Sequence, residues 1–179
     1  TPSTYTLTAV YTDKVGSFFV GPTGLPPILS AITIEGNGAT IRRASNAPEF
    51  RILIFGGATG RLTLNNLTIR GGYTSGEETG PAIWGGGDGV LTLNNVAIKD
   101  NVSHHTSNPR PVDGSINVGP LTLIMNNSSV TGNTGAHGMG LLLSEVKAVF
   151  TNSIIANNND VGVSAYKSDV TFIGGAIRG

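Results

Sequence analysis

Leu62-Thr-Leu-Asn-Asn-Leu-Thr-Ile-Arg-Gly71 decides the fold, because the chain repeats it. It returns as Leu91-Thr-Leu-Asn-Asn-Val-Ala-Ile-Lys-Asp100, and in more worn form from Leu123, Ala148 and Val170. An earlier copy with two extra residues after its turn is Ile32-Thr-Ile-Glu-Gly-Asn-Gly-Ala-Thr-Ile-Arg-Arg43. Successive copies start 30, 29, 32, 25 and 22 residues apart. Self-similarity at such spacing marks a repeat architecture in which each unit buries its apolar face against the next. The uneven period means that part of each unit tolerates insertion.

Within a copy, Leu62 and Leu64 alternate with Thr63, and Leu67 and Ile69 alternate with Thr68 and Arg70. Alternation with period two on both sides of a break reads as two short strands around a corner. The second corner residue is Gly36, Asn66, Asn95, Asn127, Asn152 and Gly174 in the six copies. Gly and Asn reach positive φ more readily than other residues, so the column reads as a backbone constraint, and a stacked Asn column also lets amides bond along the stack. The closing position is Arg43, Gly71, Asp100, Gly132, Asn157 and Gly179, mostly turn formers. Apolar runs at 50–55, 82–84, 115–118, 140–144 and 161–166 supply a third strand per unit. Three strands and three corners make one turn of a coil. The rival, antiparallel hairpins in a sandwich, would need tight two-residue turns between partner strands. The reading is therefore an all-β, single-domain right-handed parallel β-helix of about six coils. Residues 32–179 form the repeats, and residues 1–31 form a capping or subunit-contact segment.

The run Gly24-Leu-Pro-Pro-Ile28, the copy that starts at Ile32, the Leu-Thr-Leu-Asn-Asn copies and the worn Phe150-Thr-Asn152 coil resemble the right-handed parallel β-helix repeat proteins of bacterial cell surfaces, including adhesin-like and polymorphic outer-membrane types. The resemblance spans residues 24–179. It implies architecture and an extracellular setting; it does not imply a particular function, because β-helices carry enzymes, adhesins and fibres alike.

Composition narrows the classes. Charged residues are 12% of the 179, about half the usual share of soluble domains, and the net charge is zero. Bulk electrostatics therefore indicates neither nucleic acid nor an acidic membrane surface. There is no cysteine, which removes disulfides, thiolate metal sites and Cys nucleophiles. No apolar run approaches the roughly 20 residues of a membrane helix, so no membrane insertion is expected. The chain opens Thr-Pro-Ser-Thr, without a basic start and apolar run, so a signal peptide would already have been removed. Low charge with abundant Ser, Thr, Asn and Gly fits a secreted protein.

Chemistry-bearing residues are weak candidates. His104-His105, near Arg110 and Asp113, sit in the longest insertion and have no acid cluster at metal-ligand spacing. His137-Gly138 resembles the His-Gly of polygalacturonases, but paired aspartates for acid–base work are missing, and the acids Asp88, Asp100, Asp113, Glu145, Asp160 and Asp169 are scattered. Gly85-Gly-Gly-Asp-Gly89 looks like a calcium-binding repeat but occurs once. Arg42, Arg70, Lys99 and Arg178 form a partial basic stripe suited to an acidic polysaccharide. Thr33, Thr63, Thr92 and Thr171 form a column interrupted by Ile124 and Val149. No cofactor, no metal and no catalytic residue is expected, and the chain is read as a non-enzyme.

The ends carry the leading functional reading. Nothing after Gly179 covers the last rung, so the sequence is either a trimmed piece or a subunit whose last coil meets the first coil of another copy. A head-to-tail contact that does not close into a ring makes an open filament. Subunit contact falls to Tyr5, Leu7, Phe18 and Phe19 at the head and to Val170, Phe172, Ile173 and Ile177 at the tail. The expected function is an extracellular, self-assembling surface filament whose partner is itself. The alternatives are an adhesin-like module for extracellular glycans and, behind that, a β-helical polysaccharide lyase or hydrolase.

Overall fold

The computed structural model describes residues 2–11, 21–57, 59–76, 78–104, 114–135 and 139–178. Phe18, Phe19, His105, Arg110, Asp113 and His137 lie outside them. In chain order, β1 (Thr4–Leu7) is followed by the first copy, β2 (Ala31–Arg43), and by β3 (Leu53–Gly56). The next turn is β4 (Arg61–Arg70), β5 (Tyr73–Ser75) and β6 (Ile83–Gly86). Two turns with a broken copy follow: β7 (Gly89–Asn94), β8 (Ala97–Lys99), β9 (Val102–His104) and β10 (Gly114–Val118), then β11 (Leu121–Asn126), β12 (Ser129–Thr131), β13 (Thr134–Gly135) and β14 (Met139–Ser144). The chain closes with β15 (Val146–Ala156), β16 (Val163–Tyr166) and β17 (Asp169–Arg178).

Every pairing between these strands is parallel. The repeat strands stack as β1-β2-β4-β7-β11-β15, with β17 on the far side of β15. The second sheet runs β3-β6-β10-β14-β16, and a third, small sheet runs β5-β9-β13. No helix occurs among the described residues. The chain is a parallel β-solenoid. It has about four turns rather than the expected six coils. Only the copies at 62, 91, 123 and 148 have a repeat-strand neighbour on both sides along their whole length; those at 32 and 170 are the terminal rungs.

The alternation explains the core. Leu62, Leu91, Leu123 and Ala148 stack in one inward column, and Leu64, Leu93, Met125 and Phe150 in the next. Beyond the corner, Ile41, Ile69, Ile98, Val130, Ile155 and Ile177 continue a third column. All members from Leu62 to Ile155 are buried. In the second sheet Phe55 lies opposite Gly85, and a Cβ at Gly85 would clash with the Phe55 ring, 2.1 Å from its Cε1. The large ring and the missing side chain at Gly85 are one packing unit.

The corners follow the backbone expectation at five of six positions. Asn66, Asn95, Asn127, Asn152 and Gly174 have φ of 49°, 53°, 48°, 49° and 72°. Gly36 does not. The two extra residues move the left-handed positions to Asn37 and Gly38, at 49° and 82°, and the register jumps between Glu35 and Ala39. Gly36 is instead a close-approach glycine: its Cβ would lie 2.5 Å from the Asn66 carbonyl oxygen. At the closing corner Gly71, Asp100, Gly132 and Asn157 also have positive φ. A left-handed conformation costs an ordinary L-residue roughly 1–2 kcal/mol. Asn127→Val should therefore lose about that much in urea unfolding, whereas Asn127→Gly should stay within about 0.5 kcal/mol of the parent. Equal losses would mean that the Asn side chain, not the backbone, is what the corner needs.

Candidate functional site

The amide ladders lie beside the corner column, not in it. Asn65 Nδ2 donates to Glu35 Oε1 (2.6 Å), Asn94 Nδ2 to Asn65 Oδ1 (2.8 Å) and Asn126 Nδ2 to Asn94 Oδ1 (2.8 Å), all on the outward face. A second ladder is internal. Asn101 Nδ2 donates to Asn133 Oδ1 (3.0 Å), and Asn133 Nδ2 to Asn158 Oδ1 (2.9 Å). The same oxygens accept the backbone amides of Asn101 (3.1 Å) and Asn133 (3.2 Å), and Asn101 Oδ1 accepts that of Gly72 (2.9 Å). Asn101 and Asn133 are fully buried and Asn158 nearly so. A shorter serine ladder stands where aliphatics stand in earlier copies: Ser128 Oγ accepts from Val96 N, and Ser153 Oγ from Ser128 N. The internal asparagine ladder and the serine ladder satisfy backbone groups that the turns would otherwise bury unpaired. The sequence signal for the internal ladder is an Asn immediately after the closing residue in three consecutive copies.

Some of the residues singled out for chemistry sit at corners or in exposed pairs. Asp88 and Glu145 have φ of 57° and 59°, so both are corner residues. Asp100 is a corner residue too and lies 3.4 Å from Arg70 in an exposed ion pair. Arg42, Arg70, Lys99 and Arg178 share one outward column with Thr131 and Ala156, and Arg42 donates to Thr6 Oγ1 (3.0 Å). His104 is exposed at the end of β9. Among the described residues no three His, Asp or Glu side chains converge on a metal-sized site. An ion pair links the buried Arg51 to the partly exposed Glu78, and Arg51 also lies over the Trp84 ring, 5.9 Å from its centre.

The end rungs are the distinctive surfaces. At the tail, Val170, Phe172 and Ile177 are in register with the inward residues Ala148, Phe150 and Ile155. They continue the core columns. Yet Phe172 and Ile177 are 39% and 49% exposed, and only Val170 is half-buried against the core. The Phe172 ring lies on Phe150, 4.8 Å between centres. Ile173 differs: it pairs with Thr151 and points outward. The outer edge of β17 has no strand partner among the described residues.

At the head, β1 lies parallel to the second half of β2, pairing Thr4–Leu7 with Thr40–Arg43. Tyr5 thus enters the Ile41 column but is 61% exposed, while Leu7 packs against the core. Thr23 and Ile28 bridge to Arg51 and Phe55, completing that side of the turn. The first half of β2, with Ile32 exposed and Ile34 half-buried, has no strand partner on its outer edge among the described residues. Head and tail therefore lie at opposite ends of one stack. No family model, curated protein or solved structure matches the chain.

Proposed function

We propose that this chain is a structural protein, a subunit of an extracellular filament built by head-to-tail stacking of solenoids. The observation that supports it is the tail rung. Its side chains follow the buried columns of the coil beneath and are largely exposed, and among the described residues its outer edge has no strand partner. Such an edge templates another parallel strand, and the first half of β2 offers one in matching columns: Ile32 with Val170 and Ile34 with Phe172. Backbone pairing would supply affinity and the alternating side chains the register. Resemblance of the repeats to bacterial surface β-helices favours an extracellular, cell-surface setting.

Sedimentation velocity over a concentration series tests the contact. The parent chain should shift to large species as concentration rises. Ile177→Lys, which places a charge in the apolar column, should weaken association at least about tenfold at unchanged fold, since a misplaced buried charge costs more than the 1.4 kcal/mol that tenfold represents. Association unaffected by Ile177→Lys would remove the second half of the tail rung from the contact, and association unaffected by Phe172→Lys as well would remove the rung altogether.

One observation favours a second reading, an adhesin-like glycan-binding module. A surface cleft is lined by Arg42, Arg43, Asn46, Arg70 and Tyr73, and the Arg43 guanidinium lies over the Tyr73 ring, 5.5 Å from its centre. Guanidinium groups beside an aromatic ring suit an acidic sugar chain. Binding on an array of acidic glycans that disappears in Arg42→Ala/Arg70→Ala would favour it over the filament.

A further inference from the structure

We infer that β1 is an exchangeable half-rung: it occupies the position that the tail strand of a second copy needs, so stacking proceeds with release of β1. The inference rests on the head-to-tail reading and concerns the register of its contact. β17 is one continuous rung. It pairs with β15 from Lys147–Asp169 through to Ala156–Arg178, across both halves of the copy and across the corner at Gly174. A second copy seated by the same register would place its Thr171 against Thr33, its Phe172 against Ile34 and its Ile177 against Ile41. The longer corner of β2 is no obstacle, because β4 already seats a one-residue corner, Asn66, against it.

The first half of that contact has no strand partner on its outer edge among the described residues. The second half is taken. Tyr5 already stands against Ile41, and the carbonyls of Ser3 and Leu7 already accept the amides of Thr40 (2.9 Å) and Ala44 (2.8 Å). The incoming Ala176, Ile177 and Arg178 and the resident Thr4, Tyr5 and Thr6 compete for the same three β2 residues. Two strands cannot bond one edge. The resident is the weaker occupant. It is four residues long, Tyr5 is mostly exposed, and Thr6 offers Arg42 a single hydroxyl. The incoming strand brings an isoleucine to an isoleucine column and is held by its own first half.

The unmodified chain supplies the direct test. Chymotrypsin should cleave after Tyr5 faster in pelleted assemblies than in dispersed protein at low concentration. Protection of Tyr5 that is equal or greater in the assemblies would overturn the inference. Two variants test it from the other side, a chain lacking residues 1–7 and full-length Tyr5→Pro, which removes the amide that alternation points at β2. Both should lower the concentration needed for assembly about tenfold, the effect of one or two net hydrogen bonds no longer being broken. Assembly at the parent's concentration would show that β1 does not block stacking, leaving the stacking itself intact. Assembly only at higher concentration would make β1 part of the contact. Failure of the parent and both variants to assemble would remove the stacking reading and this inference together.

Discussion

Asn133→Leu should cost the fold about 2–4 kcal/mol in urea unfolding, because it orphans buried polar groups rather than a contact. Asn133 Oδ1 accepts the backbone and side-chain amides of Asn101, and its Nδ2 donates to Asn158 Oδ1 and the Ile98 carbonyl (3.3 Å). Leucine fills similar space and satisfies none of them. Each unsatisfied buried group costs roughly 1–3 kcal/mol, against a typical total stability of about 5–15 kcal/mol. The control is the outward ladder. Asn94→Leu breaks two amide bonds of 2.8 Å that are only partly buried, where water replaces the lost partners. Its cost should stay below about 1 kcal/mol. Similar losses for the two variants would show that burial of the inner ladder does not set its weight.

Phe150→Ala should be as damaging, about 3–5 kcal/mol, the usual range for deleting a buried aromatic ring. Phe150 is fully buried between Met125 and Phe172 in one inward column. Phe172→Ala removes the same ring one rung later, where it is 39% exposed. In dispersed protein it should cost less than half as much as Phe150→Ala. In assemblies the stacked neighbour would cover Phe172, and the two costs should converge, read as equal losses of resistance to urea-induced dissociation and unfolding. Phe172→Ala remaining mild in assemblies would mean that the tail column stays wet.

The fold was legible because the repeat imposes two independent patterns at once. Apolar alternation gave the inward columns, and Gly or Asn at one position gave the corner. Both are local consequences of backbone geometry, which a sequence carries directly. The turn count was less legible, since a recurring strand does not say whether it closes a full turn or ends the stack. Gly36 was misplaced for a related reason: an insertion moved the left-handed position onto Asn37 and Gly38 and left Gly36 to make room for the Asn66 carbonyl. The small sheet of β5, β9 and β13 was hidden because strands of two or three residues carry no readable period. The internal ladder of Asn101, Asn133 and Asn158 was hidden because a buried amide and a surface-loop amide are the same letter. Their burial is a tertiary fact.

The end surfaces show the same division. Alternation placed Val170, Phe172 and Ile177 in line with the core, but Ile173 belongs to the outward set that starts with Glu35 and Asn65. Parallel addition of β1 to its own β2 was one of two readings of the segment before the repeats. Choosing between them needed the register of Tyr5 on Ile41.

Head-to-tail stacking is the central functional claim, and electron microscopy of the purified chain at neutral pH over a range of concentrations tests it most directly. The four complete turns and the two end rungs, β2 and β17, occupy six levels of the stack, which at about 4.8 Å each give an axial repeat near 29 Å per molecule. Unbranched fibres of uniform width with that repeat are the expected result. Dispersed single particles at every concentration would contradict it.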